Sequence, residues 1–320
     1  MNSASEQSPL WACPRCHAEL DPSTLATSGD HTLPLEAATR TVHTSASLDH
    51  YPGACAQCGL PYANVGSRRF AYPYRQLLGT IDQKRFLRWS AAQNNGFVSY
   101  SLMKGSSCSV DGREDARQFA DFITDRIGAD TKVALDLGCG PLERPAYLPA
   151  LAADATLIGV DPFESSWNGS FVQGVGEFLP VRSASVDLVI AATALDHTLD
   201  LGRSLAEIAR VTRSGGDLMV WDHIFPSRAK HLLNVLIGLV LPSPLSSKIR
   251  DFRSNFMRER VRLYDNGVVL WTPPGYADPF HEPRSRRRSW PRRLHGEITR
   301  AGFRLAGTDE TLGFSHYVRD

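Results

Sequence analysis

Two Cys-x-x-Cys pairs, Cys13-Pro-Arg-Cys16 and Cys55-Ala-Gln-Cys58, are the first residues whose types and spacing imply chemistry. Four thiolates in two knuckles match a tetrahedral, closed structural zinc site, and in a reducing compartment the pattern favours metal over disulfides. A thiol–disulfide enzyme would instead use one such pair at the start of a helix. A catalytic zinc would need an open coordination position, and four cysteines leave none. His17 and His31 offer alternative ligands, but the shell is complete without them. The 38 residues between Cys16 and Cys55 imply an insertion between the two knuckles. Cys108 reads as a plain thiol.

The second constellation is 133-VALDLGCGPLERP-145, an apolar run followed by Gly138 and Gly140. Such a turn lets backbone approach a ligand. A phosphate loop would close on Lys-Ser/Thr, which is absent. A dinucleotide turn would carry a third glycine where Glu143 stands, and a carboxylate at a helix start opposes a pyrophosphate. Asp136 and Glu143 are no penalty beside a cationic ligand. In these residues the chain resembles the class I S-adenosylmethionine-dependent methyltransferases, of type 11-like pattern, over roughly residues 110–320. Four stretches carry the resemblance: 135-LDLGCG-140, Asp161 at the end of 157-LIGVD-161, 174-GVGEFLPVRSASVDLVIAA-192, and 194-ALDHTLDLGRSLAEIARVTRSGGDLMVWD-222.

The resemblance implies an S-adenosylmethionine site. Gly138 and Gly140 would lie against the methionine portion. Asp136 would orient the turn or meet the amino group through water. Asp161 would accept the ribose hydroxyls, and Glu177 and Phe178 would frame adenine. Leu142 stands where the family often has a third glycine, which leaves a non-catalytic, methyltransferase-fold binding module as one alternative.

Three histidines are candidate bases for the acceptor: His197 after the fourth strand of the domain, His223 at the end of the fifth, and His281 in the insertion 224–291. Each also reads as a packed or capping residue. The stretch Ala191-Ala192-Thr193-Ala194 lacks the Asn/Asp-Pro-Pro-Tyr/Phe turn of enzymes that methylate base amino groups. A small-molecule acceptor is expected, because the insertion 224–291 after the fifth strand reads as a pocket cover. The alternative is an RNA acceptor, gripped by the cysteine segment and by 284-RSRRRSWPRR-293, where arginines surround Trp290. The blander reading of that cluster is a solvated loop.

These residues must be positioned by alternating strands and helices. Helical spacing runs through 113–128, 200–216 and 292–303. Apolar runs at 133–137, 156–161, 185–192 and 217–223 read as strands, a helix-sized stretch at 143–152 lies between the first two, and 304–313 with 314–320 read as a terminal strand pair. The expected fold is α/β: a doubly wound, Rossmann-like, seven-stranded sheet with a small N-terminal zinc-ribbon-like segment. The boundaries read as a disordered tail 1–10, the zinc-ribbon-like module 11–75, a linker or cofactor-covering segment 76–110, and the methyltransferase domain 111–320. The end of the module, 68-RRFAYPYRQLLG-79, is expected to pack against the domain. Trp89 and Tyr100 in the covering segment read as packing residues with a possible acceptor contact.

With 320 residues, 42% of them hydrophobic, the chain can bury a substantial core. The net charge of +1 makes no global case for nucleic acid or membrane. The longest apolar run, 232-LLNVLIGLVLP-242, is too short to span a bilayer. No signal peptide is evident, so a cytoplasmic location is expected.

Overall fold

The computed structural model describes residues 10–20, 51, 53–65, 69–103, 114–140, 144–163, 165, 167–222, 260–263, 269–272 and 290–320. Short strands β1 (Gly53–Ala54), β2 (Pro61–Val65) and β3 (Arg69–Ala71) lead into helices α1 (Tyr74–Ile81), α2 (Gln83–Met103) and α3 (Glu114–Thr124). Then come β4 (Val133–Leu137), β5 (Thr156–Asp161), β6 (Ser170–Gln173) and β7 (Val186–Ala192), a single 3-10 turn (Leu195–His197), α4 (Leu201–Val211) and β8 (Thr212–Trp221). A hairpin of β9 (Arg260–Leu263) and β10 (Val269–Thr272), helix α5 (Trp290–Arg300), β11 (Phe303–Asp309) and β12 (Phe314–Arg319) complete the described chain.

The main sheet has ten strands in the order β1-β2-β3-β6-β5-β4-β7-β8-β12-β11. From β6 to β8 the strands are parallel, and β12 is antiparallel to both neighbours. The seven strands β6-β5-β4-β7-β8-β12-β11 match the expected doubly wound α/β sheet. Successive side chains of a strand face opposite sides, and both sides of the sheet's centre are covered, so the central strands β4, β5 and β7 are mainly apolar. On β7, Leu188, Ile190 and Ala192 face α3, while Val189 and Ala191 face the α4 and α5 side. Helix α4 is amphipathic: Leu205, Ile208 and Val211 are buried, and its N-cap Asp200 accepts the Arg203 N–H at 3.2 Å. Truncating the fully buried Ile208 to Ala costs about 2–5 kcal/mol.

Three features depart from the sequence-based reading. The stretch 144–152 is turns rather than a helix. Its prolines, Pro145 and Pro149, lack the N–H that helical bonding needs. The helix expected to end on Gly215-Gly216 stops at Val211, and β8 begins at once. Gly215, with φ of 72°, belongs to an irregularity where the β7–β8 register jumps from Val186↔Thr212 to Leu188↔Asp217. Finally, the cysteine-bearing segment is not set apart. Its strand β3 pairs in parallel with β6, Arg69 opposite Phe171, and carries the sheet on to β2 and β1. The expected packing of 68–79 takes this form: Phe70, Tyr72, Tyr74 and Leu78 are all buried.

Candidate functional site

In a doubly wound sheet, ligands sit beyond the carboxyl ends of the strands where the winding reverses. Here that point lies between β4 and β7, the first and fourth strands of the methyltransferase domain in chain order. The glycine turn Gly138–Gly140 leaves the end of β4, and the loop 193–197 leaves the end of β7. They touch: a Cβ on Gly138 would lie 2.7 Å from the Ala194 Cβ. Gly138 and Gly140 both have positive φ, 73° and 70°, a region that side chains disfavour. Across the crevice Thr193 also has positive φ, 52°, the rarer state for a non-glycine residue.

Asp161 ties the end of β5 to this turn. Its Oδ2 accepts the Gly140 N–H at 3.0 Å, and its Oδ1 accepts the Phe163 N–H at 2.9 Å. An ionised carboxylate has about four acceptor positions, so roughly two remain for a ligand. Burial raises the Asp161 carboxyl to about 6, against the pull of those two N–H groups. Ser165 donates to the Gly140 carbonyl at 2.6 Å and closes the turn from the β5 side.

Asp136 is fully buried on β4. Tyr147 donates to its Oδ2 at 3.0 Å, while its Oδ1 has no hydrogen-bond partner among the described residues. Burial raises this carboxyl to about 8, opposed by the Tyr147 hydroxyl and reinforced by the negative charge of Asp161. An unpartnered buried carboxylate oxygen costs free energy that a cationic or donor ligand would relieve.

Glu177 and Phe178 take other positions. The Glu177 carboxylate accepts the Asp200 N–H at 2.9 Å, which binds the loop after β6 to the start of α4. Burial raises Glu177 to about 7, opposed by the backbone N–H groups it accepts. Phe178 is buried, with the Arg203 guanidinium 4.1 Å from its ring centre. Both lie near the β6 strand end, but neither side chain joins the Asp136–Gly140–Asp161 cluster through a hydrogen bond.

His197 ends the 3-10 turn beyond β7, with its ring partly exposed. Its carbonyl accepts the Trp89 indole N–H at 2.6 Å and the Gln93 amide at 3.1 Å, so α2 lies across this loop. Trp89 is buried as a packing residue. His223, His281, Leu142, Glu143, Cys108, the arginines 286–288 and the tail 1–9 lie outside the described residues. Tyr147, Ser165 and Tyr72 are site neighbours that the sequence reading did not pick out. Hydroxyl side chains in turns carry no spacing signal, and Tyr147 fell inside the stretch read as a helix.

The cysteine cluster is separate from this crevice. The sulfur atoms of Cys13, Cys16, Cys55 and Cys58 all lie within 4.8 Å of one another, with Cys13–Cys58 at 3.5 Å and Cys16–Cys55 at 3.6 Å. Four sulfurs about 2.3 Å from one tetrahedral ion would stand at about this separation. Gly59 has positive φ of 70° and closes the second knuckle on the Cys55 carbonyl at 2.8 Å. Burial drives the Cys13 thiol well above its ordinary range, a penalty on the thiolate that a bound cation would offset. The donor set fits zinc. Among the described residues no helix is long and apolar enough to cross a membrane.

Residues 135–220 match the family model described as a methyltransferase domain. The chain is 27% identical over 116 residues to the uncharacterized methyltransferase YcgJ of Bacillus subtilis, covering 35% of this chain and 45% of that protein. It is 29% identical over 126 residues to an uncharacterized 37.1 kDa protein in a transposon of Streptomyces fradiae, covering 34% of this chain and 36% of that protein. The chain thus spans less than half the length of these curated relatives. A crystal structure of Burkholderia thailandensis 1,6-didemethyltoxoflavin-N1-methyltransferase superposes with a TM-score of 0.40 at 15% identity, over 72% of this chain and 89% of that one. Residues 135–220 thus carry a methyltransferase domain of the class I, S-adenosylmethionine-dependent kind.

Proposed function

We propose that the chain transfers a methyl group from S-adenosylmethionine to a small-molecule acceptor. The observation that carries this reading is the cluster at the switch point: the Gly138–Gly140 turn tied to Asp161, beside the unpartnered buried oxygen of Asp136. When bound, S-adenosylmethionine supplies an electrophilic methyl group on a sulfonium. Gly138 and Gly140 give it backbone without side-chain obstruction. The free acceptor positions of Asp161 take the ribose hydroxyls. Oδ1 of Asp136 takes the amino group, directly or through water. The work of the protein is alignment and exclusion of water.

Glu177 and Phe178 serve the adenine end as wall and support, since their side chains are engaged with α4. His197 is the candidate base within the described residues, and His223 and His281 remain candidates from sequence. The cover over the crevice supports a small acceptor. Helix α2 lies on the loop beyond β7, and β10, from the insertion 224–291, packs against α2. A crevice bordered by α2 suits a small molecule better than a nucleic-acid strand.

The four cysteines hold a structural zinc in this reading. Titration calorimetry with S-adenosylhomocysteine tests the cofactor site. Micromolar binding that is lost in Asp161→Ala is expected, and the absence of heat from the wild-type protein would refute it. Nucleic-acid binding that persists at high salt would refute the small-molecule acceptor in favour of RNA.

A further inference from the structure

The loop 174–182, which leaves the carboxyl end of β6, is held from two sides. On one side is α4, where Glu207 accepts the Leu179 N–H at 2.9 Å and Arg203 donates to the Glu177 carbonyl at 3.1 Å. On the other are residues that lie before the methyltransferase domain in sequence. The loop's four consecutive carbonyls, from Phe178 to Val181, each have a partner. Phe178 accepts from the Tyr72 hydroxyl, Leu179 from Arg210 at 2.8 Å, Pro180 from the Ala12 N–H at 3.1 Å, and Val181 from Arg210 at 2.7 Å. The Tyr72 hydroxyl also accepts the Val175 N–H at 3.1 Å, so one fully buried side chain grips the loop at two points. Contact continues at Gly174, where a Cβ would lie 2.6 Å from the Tyr72 ring. On the other edge, Arg182 N–H donates to the Leu10 carbonyl at 2.9 Å, and Trp11 forms an antiparallel bridge with Val181.

The two gripping pieces meet at the sulfur cluster. Leu10–Ala12 run directly into Cys13. Tyr72 follows β3, which follows β2 and the Cys55–Cys58 knuckle. Trp11 and Tyr62 stack on Phe70 from these two arms, with ring centres 5.5 Å apart in each case. A metal ion shared by Cys13, Cys16, Cys55 and Cys58 would tie one arm to the other.

We propose that the four-cysteine segment is the positioning element of the loop 174–182, with Tyr72 as its positioning residue, so that cofactor affinity depends on the Tyr72 hydroxyl and on the metal-tied arms. This rests on the reading above that the loop borders the adenine end of the cofactor. Coupling of this kind is reciprocal: a ligand that needs the ordered loop also strengthens metal retention.

The test compares wild-type protein, Tyr72→Phe and chelator-stripped wild-type protein. S-adenosylhomocysteine affinity is read by calorimetry, zinc by elemental analysis, and backbone order by hydrogen exchange with mass spectrometry. Tyr72→Phe keeps the ring and its packing, so the fold is retained. The expected result is a rise of about tenfold in Kd. Amides of 174–182 should exchange faster while those of β7 stay unchanged, with the same pattern in stripped protein. Uniformly faster exchange over β7 and the loop would mark a merely structural tyrosine and overturn the proposal. So would unchanged exchange at 174–182. Faster loop exchange with unchanged Kd would overturn the link to cofactor. No binding by wild-type protein would instead refute the cofactor reading itself, and the exchange comparison would still decide whether the segment positions the loop.

Discussion

The charge state of Asp136 makes a quantitative prediction. With its carboxyl at about 8, Asp136 in the free protein is about nine-tenths protonated at pH 7. The cause is burial, and Oδ1 has no donor among the described residues. An ammonium group brought to Oδ1 favours the ionised form, so binding must expel that proton. Discharging Asp136 at pH 7 costs about 1.4 kcal/mol, well within what a partly buried ion pair returns. Asp161, at about 6, adds only about 0.1 proton at pH 7 but about 0.5 at pH 6. Net release on binding S-adenosylhomocysteine is therefore about one proton at pH 7 and about 1.5 at pH 6. Glu177 contributes nothing, because its carboxylate stays on the Asp200 N–H.

The assay is calorimetry in buffers of different ionisation enthalpy, whose slope counts protons. Asp136→Asn should abolish most of the release at pH 7. Asp161→Asn should leave it almost intact at pH 7 and lower it at pH 6. Tight binding with no proton release at pH 7 would refute the reasoning, because Asp136 would then either stay protonated or stand away from the amino group.

Three other outcomes follow from the same structure. Gly138→Ala, with φ of 73° and Ala194 at 2.7 Å from the new Cβ, should abolish detectable S-adenosylhomocysteine binding while circular dichroism remains native. Elemental analysis should find about one zinc per chain, lost in a Cys13→Ser/Cys55→Ser double variant whose melting temperature falls. A full metal complement in that variant would place the ligands elsewhere. In the ligand-free protein, Asp136 and Glu177 hold protons in the folded state that the unfolded chain releases, so stability falls as pH rises toward and through their raised values. Denaturant unfolding should show the protein more stable at pH 6 than at pH 8, by on the order of 4 kcal/mol, and Asp136→Asn should remove the larger part of the difference.

The sheet was legible because its code is redundant. Every parallel strand from β4 to β8 apart from β6 appears as an apolar run, since both faces are covered and no polar side is needed. The strand β6 went unread. Ser170–Gln173 is only four residues long, with a polar residue at each end, and its place is fixed by neighbours distant in the chain. The same applies to β3, whose Arg69 gave no strand signal but sits opposite Phe171. Asp136, Gly138, Gly140 and Asp161 were singled out by their resemblance to a family motif; the structure brings them together, with positive φ at both glycines and the Gly140 N–H on Asp161. Glu177 shows the limit of that argument. Its type and position suggested a ligand contact, yet an acidic side chain beside a helix start meets the same demand by accepting a backbone N–H, as Glu177 does at Asp200.

That ambiguity bears on how the site works. Three carboxyls near the strand ends are raised by burial, but their unused bonding capacity differs. Glu177 is bound into α4, Asp161 is half-spent on the turn, and Asp136 has one oxygen satisfied by Tyr147 and one left over. Burial alone therefore does not mark a ligand contact; the unsatisfied acceptor does. On the proposed function, that criterion would make Asp136 the chief selector of a cationic ligand, with Asp161 setting the register of the sugar and Glu177 keeping the adenine wall in place. Substitution should separate these roles. Asp136→Asn changes proton release most, and Asp161→Ala changes affinity most. Glu177→Gln should change both little, provided its amide oxygen still accepts the Asp200 N–H. A loss of affinity in Glu177→Gln as large as that in Asp161→Ala would restore Glu177 to direct contact with the ligand.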